Sequence, residues 1–318
     1  MSVSLNEIWH NKQTSWLKPV NIPELKDGDT LVKTTHSMIS LGTEKTVLTQ
    51  NLPDTMARHM AIPYMKGSLL DTFTYGYSAV GEVIKGKESW VGKKVHLMHP
   101  HQDYMIVSDT DLVEIPEGID LKSATLTSNL ETAINAIWDA EISLGDRVLI
   151  FGYGLIGSLI ATIIRHMPGV IVEVFEMNSN RQQLHVSHGV PIKSLNEYDV
   201  VFNATSNESA LREALILTRQ EGQVIELSWY GNQDTTLQLG AEFHYGRKQI
   251  ISSQVSQIPY KKQPIWNYRK RKQLVFDLLA DLDFTHLLTD EIDFRDTPKF
   301  YDRLRKDEIE NLSTIICY

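Results

Sequence analysis

The chain contains a single cysteine, Cys317. No disulfide can form within it, and no multi-cysteine zinc site can be built. No apolar run reaches the ~20 residues that a membrane helix needs. The first residues, Met1-Ser-Val-Ser-Leu-Asn-Glu-Ile-Trp9, lack the basic and apolar regions of a secretory leader. The expectation is a cytoplasmic protein with no membrane partner. Positive charge is also short: 31 Lys and Arg stand against 40 Asp and Glu, a net −9, so a nucleic-acid partner is not expected. No internal repeat or low-complexity segment stands out. What remains is an ordinary globular composition, with 318 residues, enough for two domains with cores of their own.

Residues 1 to about 118 read as β-rich. Thr30-Leu-Val-Lys-Thr-Thr35 alternates like a half-buried strand. Gly81-Glu-Val-Ile-Lys85, Lys94-Val-His-Leu-Met98 and Tyr104-Met-Ile-Val-Ser108 are short apolar runs between turns. From Leu121 the period changes, and 121–140 has helical spacing. A β–α alternation then starts at Asp146, with strands at 147–152, 170–175, 199–204, 223–228 and 249–253 and a helix from Glu208 to Arg219. That order predicts an α/β fold with a doubly wound parallel sheet. The tail carries helices at 271–282 and 297–306 and a strand-like Leu312-Ser-Thr-Ile-Ile316, expected to return to the β-rich part. The basic run Tyr268-Arg-Lys-Arg-Lys272 reads as a solvated first helical turn.

Arg147-Val-Leu-Ile-Phe-Gly-Tyr-Gly-Leu-Ile-Gly-Ser158 is the most informative stretch. Gly152, Gly154 and Gly157 fall in G-x-G-x-x-G spacing between an apolar run and an apolar helix. The first permits a tight turn, the second the approach of a pyrophosphate, and the third close packing of helix on strand. The phosphates would rest on the helix N-terminus around Leu155 and Ile156. The next apolar run ends in Glu176, about 20 residues on, where a carboxylate accepts from the adenosine ribose hydroxyls. Met177 and Asn178 follow it, not Arg, so NAD(H) is favoured over NADP(H), with Arg181 near enough to blunt the preference. Ala204 and Thr205 follow one strand, and Ser228 and Trp229 another. Carboxyl ends of strands bind ligands in open α/β folds, so these four are candidates to line a nicotinamide pocket.

With its parts in this order, the chain resembles the medium-chain dehydrogenase/reductase superfamily over essentially its whole length. Gly76-Tyr-Ser-Ala-Val-Gly-Glu-Val83, Val91-Gly-Lys-Lys-Val95, Leu144-Gly-Asp-Arg-Val-Leu-Ile-Phe-Gly152 and Asp199-Val-Val-Phe-Asn-Ala-Thr205 carry the likeness. Ile39-Ser-Leu-Gly-Thr-Glu44, Leu130-Glu-Thr-Ala-Ile-Asn-Ala-Ile-Trp138 and Ser252-Ser-Gln-Val255 are similar to a branch that includes relatives of bacteriochlorophyllide hydroxyethyl dehydrogenase. The resemblance implies a GroES-like β-rich domain over 1–118 and a Rossmann dinucleotide-binding domain over 119–256. It further implies a return over 257–318 that completes the first domain, and a homodimer. Zinc-dependent members carry a cysteine where Ser40 stands, Gly-His-Glu where Gly76-Tyr77-Ser78 stands, and a third ligand near Ser128. All three positions hold hydroxyl residues here, which are poor zinc ligands beside thiolate, imidazole or carboxylate. No zinc is expected. A displaced metal site on Glu44, His99, His101 and Glu131 is the alternative, although His99 and His101 alternate faces unless Pro100 bends the chain.

Hydride transfer to a carbonyl leaves negative charge on the substrate oxygen, and something must donate to it. By the resemblance, Ser40, Thr43, Tyr77 and Ser128 face the space a zinc would fill, with Tyr77 able to donate directly. Imidazole as a side-chain type suits proton transfer near neutral pH, so His101 could serve as acid/base or relay; Glu44 and Glu131 could orient it or bind substrate. The expected function is a zinc-independent, NAD(H)-preferring oxidoreductase acting on a small-molecule alcohol or carbonyl. Two other readings stay open: reduction of an activated C=C bond, and an NAD-binding sensor or scaffold without turnover.

Overall fold

The computed structural model describes residues 4–49, 52–193 and 197–318. Contacts divide the chain into two compact units, 1–128 with 276–318, and 129–275. Both divisions fall inside helices, Thr127–Ala140 and Tyr268–Asp281.

The first unit is β-rich. Its largest sheet runs in the order Glu291–Asp293, Thr314–Cys317, Asp29–Ile39, Ala79–Lys85, Lys94–Leu97, Val113–Glu114, and Tyr104–Ser108 pairs with Asp29–Ile39 as well. The strand near the end of the chain does return to this unit: Thr314 pairs with Ile39 and Cys317 with His36, antiparallel. Val32, Val83, Val95, Met105 and Val107 form much of the core beneath the sheet. A separate hairpin, Ser4–His10 with Ser15–Asn21, has no clear signal in the sequence reading. Arg305 ties it to the helix Thr297–Arg305 by donating to the carbonyls of Asn11 and Thr14 and to Ser15 Oγ.

Immediately after Ile39 the chain turns into the helix Leu41–Thr49, and this abrupt strand-to-helix change presents Ser40 and Glu44 together. The helical stretch expected over 121–140 is two helices, Leu121–Ala124 and Thr127–Ala140. Thr125 and Thr127 explain the break, since each hydroxyl bonds a carbonyl three residues back, Lys122 and Ala124, in competition with a continuous helix.

The second unit is the doubly wound sheet. Its five strands are parallel, in the order Gln249–Ser252, Thr218–Glu226, Tyr198–Asn203, Arg147–Phe151, Ile171–Phe175. A parallel bridge from Val174 to Ile192 continues the sheet beyond the last of these. Strand order reverses beside Arg147–Phe151, the position where such sheets bind ligands. Val148, Leu149 and Ile150 are fully buried, which is why that strand reads as an unbroken apolar run. The helix Glu208–Leu217 is shorter than expected because Thr218 and Arg219 already belong to the next strand. That strand changes register between Thr218 and Gln223, where Glu221 takes a positive φ of 60°.

The basic run is not simply a solvated turn. Arg271 is buried, donating to Glu131, Asn135 and the Val255 carbonyl, whereas Arg269 and Lys270 are exposed. No helix among the described residues is long and apolar enough to cross a membrane.

Candidate functional site

In the second unit, the three glycines meet three separate demands. Gly152 has φ +91°, and a Cβ there would lie 2.9 Å from Thr205 Cγ2. Gly157 has ordinary dihedral space, but a Cβ would lie 2.1 Å from the Gly152 carbonyl oxygen, so helix and turn pack without a side chain between them. Gly154 is different. It caps the helix Leu155–Ile164 with no side-chain hydrogen bond, and a Cβ would meet only Arg181 Nη1, at 4.0 Å. Among the described residues nothing requires glycine there. The open cradle, in front of first-turn N–H groups that have no partner one turn back, fits a phosphate. Leu155 and Ile156 are half-buried beside it.

Glu176 lies next to this turn. One of its carboxylate oxygens accepts from Tyr153 N–H at 2.6 Å, the other from Met177 and Asn178 N–H at 2.8 Å. The acid, half-buried, therefore shapes the turn through both of its oxygens. Asn178 caps the helix Ser179–Ser187, accepting from Asn180 and Arg181 N–H. Ala204 donates to the Phe151 carbonyl, and Thr205 lies over Gly152. Ser228 Oγ accepts from Ser206 N–H at 2.9 Å, and Trp229 is half-buried after it. The residues read as cofactor contacts thus lie on both sides of the switch point.

In the first unit, Ser40, Glu44, Tyr77 and His101 come together. Tyr77 donates to Ser40 Oγ. Glu44 is 1% exposed, and an unpaired charge there would cost several kcal/mol. It is instead surrounded by donors: Ser40 N–H at 2.8 Å, the Tyr301 hydroxyl at 2.7 Å and His101 Nε2 at 3.3 Å. His101 Nδ1 bonds Ser37 Oγ at 2.8 Å, and Ser37 bonds the Tyr318 hydroxyl at 2.7 Å. Burial pushes the Tyr301 phenol, and likewise the Tyr318 phenol, well above the usual range, so both remain protonated. An arrangement that satisfies every group has Tyr318 donating to Ser37, Ser37 to Nδ1, and Nε2–H to Glu44. His101 is fully buried with both nitrogens engaged, so neither is left to face solvent. Its ring lies over Gly76, whose φ is +123°; a Cβ there would fall 2.5 Å from the imidazole.

The remaining candidates have other employment. Ser128 Oγ donates to the Tyr77 carbonyl at 2.7 Å and lies 3.4 Å from His96 Nε2. Thr43 lies in the first turn of the helix Leu41–Thr49. Glu131, in the second unit, pairs with Arg271 at 3.2 Å and Lys272 at 3.8 Å. His99 stacks on Tyr64 and bonds the Pro100 carbonyl, and burial lowers its pKa to about 4.

A zinc ion does not fit the three apparent ligand positions. Ser40, Tyr77 and Ser128 supply neutral hydroxyls already bonded to one another or to backbone, where zinc takes thiolate, imidazole or carboxylate. Among the described residues no group of three or more His, Cys, Asp or Glu side chains could hold a metal ion.

Sequence reasoning missed Ser37, His96, Tyr301 and Tyr318. His96 is fully buried, with Nε2 3.0 Å from Ser78 Oγ. Strand alternation puts it on the face of the exposed Lys94, so the sequence did not mark it, and its burial shows that the strand is covered on both faces from Val95 onward. Tyr301 and Tyr318 carried no local signal, being 257 and 281 residues from their partners.

No family model matches the chain. It is 22% identical over 261 residues to D-guloside 3-dehydrogenase of Escherichia coli (strain K12), covering 74% of this chain and 75% of that one. The structure of L-idonate 5-dehydrogenase from Escherichia coli matches 100% of this chain and 99% of its own, with TM-score 0.80 and 16% identity. That of an alcohol dehydrogenase from E. coli CFT073 complexed with NADH covers both chains fully, with TM-score 0.78 and 15% identity.

Proposed function

We propose that this chain, a member of the medium-chain dehydrogenase/reductase superfamily, is an oxidoreductase that interconverts an alcohol and a ketone or aldehyde, preferring NAD(H) and using no catalytic zinc. The observation that carries the reading is the open cradle at Gly154, at the switch point of a parallel sheet and beside an acid at the next strand end. Gly152, Gly154, Leu155, Ile156 and Gly157 would hold the pyrophosphate, and Glu176 the adenosine ribose. The bound nicotinamide supplies or accepts the hydride.

Proton handling falls to Tyr77 and Ser40. As a carbonyl is reduced, Tyr77 gives its proton to the substrate oxygen, and Ser40 turns its own hydroxyl hydrogen toward the phenolate. Glu44 holds the Ser40 backbone, His101 and Tyr301 hold Glu44, and Ser37, backed by Tyr318, holds His101. The names of the relatives support a polyol or sugar-derived secondary alcohol as the substrate class. A homodimer belongs to the same proposal, and light scattering tests it.

The function is tested by titrating the purified protein with NADH and NADPH by fluorescence, with zinc quantified on the same sample, followed by a panel of polyols and glycosides. Tight NADH binding, substoichiometric zinc and polyol oxidation are expected. Turnover of an enone alone would favour the C=C reductase, and binding without turnover the sensor. Stoichiometric zinc would remove the metal-free mechanism.

Cofactor preference has its own test. Glu176→Ser with Met177→Arg should move the NADPH-to-NADH affinity ratio upward by at least about tenfold, because an arginine fork can hold a 2′-phosphate. Affinity for both nucleotides should fall as well, since Tyr153, Met177 and Asn178 lose their acceptor. An unchanged ratio would mean that Glu176 does not face the ribose.

A further inference from the structure

Glu226 ends a sheet strand with a half-buried carboxyl group. The strands Tyr198–Asn203 and Thr218–Glu226 are neighbours, and their last residues, Asn203 and Glu226, are register partners. Asn203 is fully buried. Its Nδ2 donates to Glu226 Oε2 at 2.8 Å and to the Tyr230 hydroxyl at 3.0 Å. Tyr230 donates to the same Glu226 oxygen at 3.2 Å, and Ser228 N–H to the other at 2.8 Å. Burial, reinforced by Glu226, raises the Tyr230 pKa and keeps the phenol a donor.

An ionised carboxylate can only accept. Glu226 therefore decides which way the Asn203 amide faces: nitrogen toward Glu226, oxygen toward Thr205. Asn203 Oδ1 then accepts from the Thr205 hydroxyl at 2.7 Å, and Thr205 Oγ1 accepts from Asn207 N–H at 3.1 Å. This fixes the turn over 204–207, whose Thr205 methyl lies against Gly152.

We infer that Glu226, Asn203 and Tyr230 are positioning residues that set this turn as the seat for the nicotinamide half of the dinucleotide. The inference rests on the proposed nucleotide binding. Glu176 follows the strand on one side of Arg147–Phe151, and the 204–207 turn follows the strand on the other. A dinucleotide lies across such a reversal, so the two sides serve different halves.

The experiment measures affinity for NADH and for ADP, which lacks the nicotinamide half. Glu226→Gln keeps the size but sets an amide nitrogen against a donor whichever way it turns, either Asn203 and Tyr230 or the Ser228 N–H. NADH should bind about tenfold more weakly, with ADP unchanged. Adding Asn203→Asp exchanges donor and acceptor across the pair and should restore NADH affinity to within about threefold. If Glu226→Gln does not fold, as judged by circular dichroism, Tyr230→Phe replaces it, with an expected loss of about threefold for NADH alone. Unchanged NADH affinity, equal losses for NADH and ADP, or no rescue by the exchange would each overturn the inference. Binding of neither nucleotide by the unaltered protein would instead sink the nucleotide reading itself.

Discussion

Gly154→Val should weaken NADH binding by about a hundredfold or more, because two or three charge-assisted bonds to phosphate are lost together, while the protein melts near its original temperature. The protein itself has room for the side chain. Gly154 sits at φ −74°, which valine tolerates, and its Cβ direction meets only the end of a flexible arginine. The valine would fill space that only a ligand needs. Gly157→Val makes the contrast. There a side chain collides with the Gly152 carbonyl at 2.1 Å, so helix and turn must separate and the melting temperature should drop. Calorimetry and an NADH titration on both variants decide the matter. Intact NADH binding in Gly154→Val would remove the turn from the mechanism, and equal thermal losses in the two would mean that Gly154 has a packing role after all.

Tyr77→Phe should lower turnover by about 10²–10³-fold, within the usual range for a lost general acid or base, with NADH affinity unchanged. The ring stays, so the edge contact with Tyr75 at 6.3 Å is retained, and only the hydroxyl toward Ser40 is removed. Ser40→Ala leaves the phenol and removes its relay partner, so its loss should be smaller. Single-turnover measurements on a polyol substrate separate the chemical step from product release. Turnover of Tyr77→Phe at the level of the unaltered protein would transfer proton donation to another group.

The nucleotide turn was legible in the sequence because each demand on it is local. A positive φ, a close helix–strand approach and an open N-terminus all arise within a dozen residues, and each selects glycine for its own reason. The apolar strand and the acid after the next one have the same local character. The polar cluster around Glu44 was legible only in part. Ser40, Glu44, Tyr77 and His101 stood out as polar residues in segments resembling known catalytic ones, yet their pairing depends on contacts from far along the chain. Glu131 illustrates the opposite case: a carboxylate that read as a site residue is neutralised by Arg271 and Lys272, the first of them 140 residues later. Charge patterning cannot reveal which of several distant cations an acid will meet. The helix break at Thr125 escaped because hydroxyl back-bonding leaves the hydrophobic period almost intact.

The pairing of Ile39 with Thr314 has a consequence during synthesis. The strand Asp29–Ile39 leaves the ribosome long before its partner; the two paired residues are 275 positions apart (314 − 39). At roughly 5–20 residues per second, the end of that edge, His36–Ile39, waits for tens of seconds without its partner, open to joining the wrong strand, whereas Asp29–Lys33 on the same edge can pair earlier with Tyr104–Ser108. The unit over 129–275 is one uninterrupted segment and can condense while the first unit is still incomplete. Vectorial production therefore favours a nascent chain whose nucleotide-binding unit matures first, and it makes the interval before residue 314 emerges the period in which a chaperone would matter most.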